Sequence, residues 1–338
     1  PPAASDGELV VHDLTVAVEG GPDLVTGVSL RVGAGRVLGI VGESGCGKTV
    51  TALSIIGLLA PGLAPRTGSI LWKGQDLATL SDAEFSRLRG REIAYISQEP
   101  MRALDPMFTV GWQVRSALRR LSGLTRQEAR VESVELLRLV GIPDAEHVVR
   151  LYPHQISGGM AQRVALAIAL AGRPGLIIAD EPTTALDVTV QAEILQLLRE
   201  LVRESGTTLV IVTHDTGVVA DLCDDVAVMY AGQVVETGPV REVLVAPQHP
   251  YAMALLASDP HAANGRSRLP SIPGKVPAAE TWGSGCRFAE RCRFATDACR
   301  TAPVALESRV GGVGEARCIR TVELVAAGAD WESAAVSR

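Results

Sequence analysis

Aromatic side chains are scarce in this 338-residue sequence, at 4%, and none occurs before Trp72. The N-terminal region therefore has no Phe, Tyr or Trp ring on which a flat ligand could stack. Long hydrophobic runs are also missing: no uncharged apolar stretch approaches the roughly 18 residues of a spanning helix, so the chain is not expected to cross a membrane by itself. No basic, apolar, small-residue leader opens the sequence, which makes the cytoplasm the expected compartment. The charge balance has no basic excess. A net charge of −6 leaves no general footprint for nucleic acid, and no nucleic-acid partner is expected. Repeats and long low-complexity tracts are absent as well.

What remains is a composition able to fold, with 47% hydrophobic and 21% charged residues, and a length that suggests two or three units. The most specific stretch is Gly42-Glu43-Ser44-Gly45-Cys46-Gly47-Lys48-Thr49, followed by Val50, which fits the Gly-x-x-x-x-Gly-Lys-Ser/Thr phosphate loop at every fixed position. Its glycines let backbone N–H groups approach a triphosphate, Lys48 reaches the outer phosphates, and Thr49 offers a hydroxyl to Mg²⁺. The loop follows the apolar Val37 to Val41 and opens a helix through Ala52, Ile55 and Leu59, the strand-loop-helix setting the motif requires.

Around the loop, strands are expected over 8–18 and 28–41, a breaker-rich loop over Pro61 to Gly68, and strands at Ser69 to Trp72 and Ile93 to Ser97. Capping boxes at Ser81 to Glu84 and Thr125 to Glu128 open helices, the second within a mostly helical stretch from Thr109 to Leu151. Further on, helices are expected over Ser157 to Ala171 and Thr189 to Glu204, with strands at Leu176 to Ala179, Thr208 to Thr213, Asp225 to Tyr230 and Val234 to Glu236. This alternation implies an α/β fold: a mostly parallel sheet covered on both faces, plus an N-terminal antiparallel β region. From about residue 240 the periodicity fades, prolines cluster between Pro247 and Pro277, and four of the six cysteines fall between 286 and 318, suggesting a separate module.

The strand Leu176 to Ala179 ends in Asp180 and Glu181, a pair able to hold the Mg²⁺ hydration shell and to polarise an attacking water. Between loop and carboxylates, Ser157, Gly158, Gly159 and Met160 start a helix whose N-terminus suits an anion. In this order the motifs resemble the nucleotide-binding domain of ABC ATPases over residues 8–240. The resemblance implies an ATPase core at 1–98 and 152–240 and a helical subdomain at 99–151. It also assigns Gln98 as the sensor glutamine that touches Mg²⁺ and Thr184-Ala185-Leu186-Asp187 as the dimer-contacting loop. His214 is the switch histidine, and Ser157 to Met160 complete the site of a second domain in trans. Val18 stands where the family carries its adenine-stacking aromatic, so base selectivity is expected to be weak, a point that ATP against GTP turnover checks. Met160 replaces the more common glutamine.

His249-Pro250-Tyr251, Ile272-Pro273-Gly274, Gly285-Cys286-Arg287-Phe288 and Arg291-Cys292 further resemble the extension, here 241–338, of ATPase subunits of bacterial dipeptide, oligopeptide and nickel importers. That resemblance implies two permease subunits, a second ATPase that is identical or related, and an extracytoplasmic substrate-binding protein reached through the complex. Cys286, Cys292, Cys299 and Cys318 can be read as a four-thiolate metal site, with zinc, 4Fe–4S or no metal open. The resemblance tips the expectation to a 4Fe–4S cluster acting as a structural staple, with zinc as the alternative. The function expected is ATP hydrolysis, with ATP and Mg²⁺, at the cytoplasmic face of a peptide importer. A nickel importer, a soluble ABC ATPase and an iron–sulfur sensor are the competing readings.

Overall fold

The structure is a computed structural model that describes residues 7–184, 186–259 and 271–331. Ala185, the first residues and the C-terminal tail lie outside the described residues. Strands β1 (Leu9–Val18), β2 (Asp23–Val32), β4 (Leu63–Trp72) and β5 (Gln75–Asp76) form a four-stranded antiparallel sheet in the order β2-β1-β4-β5. A second, eight-stranded sheet has the order β11-β12-β10-β9-β3-β8-β7-β6. Its strands are β3 (Val37–Val41), β6 (Ile93–Ile96), β7 (Leu176–Asp180), β8 (Thr208–Thr213), β9 (Asp225–Tyr230), β10 (Gln233–Pro239), β11 (Glu307–Ser308) and β12 (Glu315–Ala316). From β6 to β9 the pairs are parallel; β9 with β10 and the strands beyond are antiparallel.

All five residues of β3 are buried, as are those of β7, because both lie inside a sheet whose two faces are covered. These central strands deliver the phosphate loop and the carboxylate pair to the same edge. Both capping boxes form, at Ser81/Glu84 and Thr125/Glu128. The stretch expected to be helical resolves into Val110–Leu121, Arg126–Leu139 and Ala145–Val148. The segment expected as a loop from Pro61 is instead the first half of β4, since Leu63, Ala64 and Pro65 pair with Val18, Ala17 and Val16 of β1. β5 pairs only with Leu71 and Trp72, so at Pro65 β4 is an edge, where a missing N–H is tolerated. Among the described residues no helix is long and apolar enough to cross a membrane.

The change of texture near residue 240 does not interrupt the sheet. β12 pairs with β10 through Glu236↔Ala316 and Thr237↔Glu315, so the C-terminal residues cover an edge that would otherwise be open. A ring cluster fills the space between: Tyr230 lies 4.6 Å from Tyr251 and 5.1 Å from Phe288, and Phe288 lies 6.0 Å from Trp331. All four rings are buried.

His249 accepts the Tyr251 N–H through Nδ1 at 3.0 Å and caps the helix Pro250–Ala257, whose first residue is the proline such a position favours. It is 1% exposed, and burial, with the Arg317 charge second, depresses its pKa from 6.5 to about 3. The unfolded chain therefore takes up a proton that the folded chain refuses between those values. Stability should fall as pH drops from 6.5 towards 3, by up to about 1.4 kcal/mol per pH unit from this group. Urea unfolding at stepped pH should show this slope, and His249→Asn, which keeps an acceptor for the Tyr251 N–H, should flatten it. An unchanged slope in the variant would place the acid sensitivity elsewhere.

The expected 4Fe–4S cluster, and the zinc alternative, are overturned. Among the described residues no group of three or more His, Cys, Asp or Glu side chains is placed to hold a metal ion. Cys286, Cys292, Cys299 and Cys318 are free thiols around an almost wholly apolar cavity shared with Phe288, Phe294 and Leu324. Burial pushes Cys286 up to about 11 and Cys292 up to about 12, and raises Cys318. A thiol so placed keeps its proton, whereas metals take the thiolate. Ring packing, the added strands and buried arginine pairs hold this region.

Candidate active site

The phosphate loop is shaped by contacts that only glycine permits. A Cβ on Gly42, at φ 154°, would sit 2.2 Å from the Met229 carbonyl oxygen, so the chain at this turn runs against β9 backbone. Gly47, at φ 101°, stands immediately before the helix Lys48–Ile55 and crowds Val25 and Leu24. Cys46 is fully buried beneath the loop, where burial raises its pKa. Lys48 is 6% exposed and its Nζ donates to the carbonyls of Gly42 at 2.8 Å and Glu43 at 3.1 Å, arching over the loop.

Opposite stand the carboxylates at the end of β7. Asp180 is 2% exposed; burial raises its pKa, while hydrogen bonds from Thr49 and Tyr95 pull the other way. Tyr95 donates to Oδ2 at 3.2 Å, and Oδ1 is buried without a partner, an orphaned oxygen that suits a cation. Glu181 occupies a left-handed backbone conformation at φ 47°, an uncommon state for a non-glycine residue that concentrates at functional sites. Its Oε2 accepts from Gln98 Nε2 and from Thr184 Oγ1, each at 2.8 Å, and Oε1 lies 3.2 Å from His214 Nδ1. Burial acts to raise Glu181, but the Thr184 and His214 hydrogen bonds and the His214 and Lys48 charges outweigh it, leaving the carboxyl below its ordinary range and ionised at neutral pH.

A cavity of about 440 Å³ joins these parts, with Ser44, Lys48, Thr49, Gln98 and Glu181 in its wall. Val18, at the end of the β1 hairpin, is half-buried against Leu63 and is not among the lining residues. Ser157, Gly158, Gly159 and Met160 are not among them either. Ser157 and Gly158 are exposed at the start of the helix Gly158–Leu170, and the Ser157 hydroxyl accepts the Met160 N–H at 3.2 Å. Asp187 caps the helix Val188–Ser205 by accepting the Val190 N–H at 3.0 Å, with Leu186 half-buried beside it.

Three contributors escaped the sequence reading, all remote in the chain. Arg291 makes a two-pronged ion pair with Glu43 of the loop, at 2.7 and 2.9 Å, and Tyr251 accepts the Glu43 N–H at 2.8 Å. Trp282 lines the cavity itself. No periodicity or spacing marks these residues as partners of a loop more than two hundred positions earlier.

A glycine-shaped loop with a buried lysine at the end of a parallel strand, set beside a buried aspartate with one unpartnered oxygen and an ionised glutamate held by three side chains, defines a nucleoside triphosphatase of the P-loop class. The family profile "ABC transporter" matches residues 25–184, and "Oligopeptide/dipeptide transporter, C-terminal region" matches 235–299. A probable peptide ABC transporter ATP-binding protein, y4tR, of Sinorhizobium fredii is 49% identical over 302 residues, covering 88% of this chain and 90% of that protein. The dipeptide transport ATP-binding protein DppD of Haemophilus influenzae is 47% identical over 273 residues, covering 81% and 83%. Among solved structures, the dimeric post-hydrolysis state of the ATP-binding cassette MJ0796, bound to ADP and phosphate, is 29% identical with a TM-score of 0.63. It covers 69% of this chain and 99% of that one. The chain belongs to the ABC transporter family and carries the C-terminal region of its oligopeptide/dipeptide branch. It is an ATP hydrolase.

Proposed function

We propose that this chain is the ATP-hydrolysing subunit that energises a bacterial importer of di- and oligopeptides. The observation that carries the reading is the convergence of Gln98, Thr184 and His214 on the Glu181 carboxylate, across one cavity from Lys48. Lys48 and the loop amides of residues 42–50 hold the phosphates. Thr49, Gln98 and Asp180, whose unpartnered Oδ1 fits a cation, would hold Mg²⁺, which would supply positive charge to neutralise the phosphates. Glu181 orients a water and takes its proton as the water oxygen bonds to the γ-phosphorus and the bond from that phosphorus to the β–γ bridging oxygen breaks, ADP leaving with that oxygen, while His214 reads the γ-phosphate.

Ser157, Gly158, Gly159 and Met160 serve a partner's nucleotide, in keeping with an exposed helix start that does not face its own cavity. Leu186 and Asp187, with Ala185 outside the described residues, contact that partner. The subunit would work as a homodimer or with a related ATPase, beneath two permease subunits at the cytoplasmic face and, through them, with an extracytoplasmic binding protein. Exposed Met101, Met107, Phe108 and Trp112 follow Gln98, and the last two stack at 3.8 Å, an apolar surface suited to a membrane partner. Residues 1–98 and 152–240, 99–151 and 241–338 serve as ATPase core, helical subdomain and extension. The similar proteins named for peptide transport favour peptides over nickel.

Gentle detergent extraction followed by mass spectrometry of everything that copurifies tests this. Two integral membrane subunits are expected, with a peptide-binding protein attached. Recovery of ribosomes or DNA-repair proteins without membrane subunits would overturn it in favour of a soluble ATPase.

A further inference from the structure

The cavity above the phosphate loop has a wall that the ATPase core does not supply. Besides Ser44 and Lys48 it is lined by Val276, Pro277 and Trp282, all from the C-terminal region. Among the described residues Trp282 is the only aromatic side chain in that lining, and Val18, at the position where an aromatic was expected, is not part of it.

The indole is held in place on several sides. Its Nε1–H donates to the Pro277 carbonyl at 3.0 Å. Its six-membered ring abuts Gly232, where an added Cβ would fall 2.5 Å from Cη2, so this close approach exists only because residue 232 is glycine. The Arg287 guanidinium lies 3.9 Å from the ring centroid. That guanidinium is itself fixed, donating to the Ala231 carbonyl at 2.6 Å and to Thr26 Oγ1 at 3.2 Å. An aromatic ring has two faces; with Arg287 on one, the other is what Trp282 can offer to the cavity. The fixed ring loses little freedom when a flat ligand settles on it, and ring stacking is available to any nucleobase.

Building on the nucleotide-site reading above, we infer that Trp282 is the base platform of this ATPase: a stacking surface delivered from the C-terminal region to the purine of the nucleotide whose phosphates the loop residues hold. The extension is then part of the nucleotide site, tied to it a second time by the Arg291–Glu43 pair. Because every base has a π face, this surface gives affinity without choosing among bases, in line with weak discrimination between ATP and GTP.

The test is equilibrium competition of ATP, GTP and inorganic tripolyphosphate, each with Mg²⁺, against a fluorescent nucleotide on the full chain. Trp282→Leu keeps apolar bulk and removes the π face; Trp282→Phe keeps the face. The leucine variant should bind ATP and GTP about tenfold more weakly with tripolyphosphate unchanged, and the phenylalanine variant should recover most of that loss. Unchanged ATP affinity in the leucine variant would overturn the inference. So would an equal loss for tripolyphosphate, since the substitution would then have disturbed the phosphate site. An unsubstituted chain that binds neither ATP nor tripolyphosphate would refute the nucleotide-site reading itself, and this inference with it.

Discussion

Glu181→Gln is expected to leave MgATP binding intact and to reduce turnover by about 10²- to 10⁴-fold, the range a positioned general base contributes. Glutamine matches glutamate in size and can still accept from Thr184 and lie beside Gln98, so the cavity wall should persist. What it loses is basicity. Glu181 is placed for that role because its neighbours keep it ionised and orient it from three directions. Its left-handed backbone places it one residue beyond the buried β7, where its N–H donates to the Val212 carbonyl at 2.8 Å. Phosphate release measured beside nucleotide affinity separates the two effects. Turnover close to that of the unsubstituted chain would move the water-orienting role to another group, with His214 the next candidate by distance.

The largest loss of stability is expected from Arg309→Ala, at about 3–5 kcal/mol, the cost of stranding one member of a buried ion pair. Arg309 and Glu236 are paired with side chains 2% and 0% exposed. Glu236 also accepts the backbone N–H groups of Gln248 and His249, at 2.9 and 2.8 Å, and Arg309 donates to the Ala246 carbonyl at 2.7 Å. One charge pair thus joins β10 to the turn before the His249-capped helix and to the residue that follows β11. Alanine would leave the Glu236 carboxylate dry, with only those amides for company. Urea unfolding would measure the loss, and the double variant Glu236→Gln with Arg309→Leu should recover part of it by removing both charges. A single-variant change below about 1 kcal/mol would mean that water or a rearranged partner reaches Glu236.

The contrast between two glycine-rich segments shows which features were legible. Gly42 to Thr49 could be read directly because its spacing encodes a local backbone shape, and the structure has that shape. The capping boxes at Ser81 and Thr125 are equally local, each closed within four residues, and both formed. Pro61 to Gly68 carried breaker residues just as plainly and still became strand from Leu63, since pairing with β1 across more than forty positions outweighed local preference. The cysteines failed for a related reason. Their spacing permitted four ligands, but spacing does not state where the sulfurs point, and an apolar surround favours the protonated thiol.

The sequence by itself determined the catalytic class, the α/β core and the family, because phosphate binding by a strand-loop-helix unit depends on residue types at fixed short intervals. Tertiary structure alone decided what stands against that unit. Arg291 and Tyr251 on Glu43, Trp282 over the cavity and β12 along β10 are contacts between segments far apart in the chain. They arise because an open sheet edge must be covered and an arginine buried at 6% exposure must find a carboxylate. Such partners are chosen by the folded surface, and a linear spacing carries no record of them.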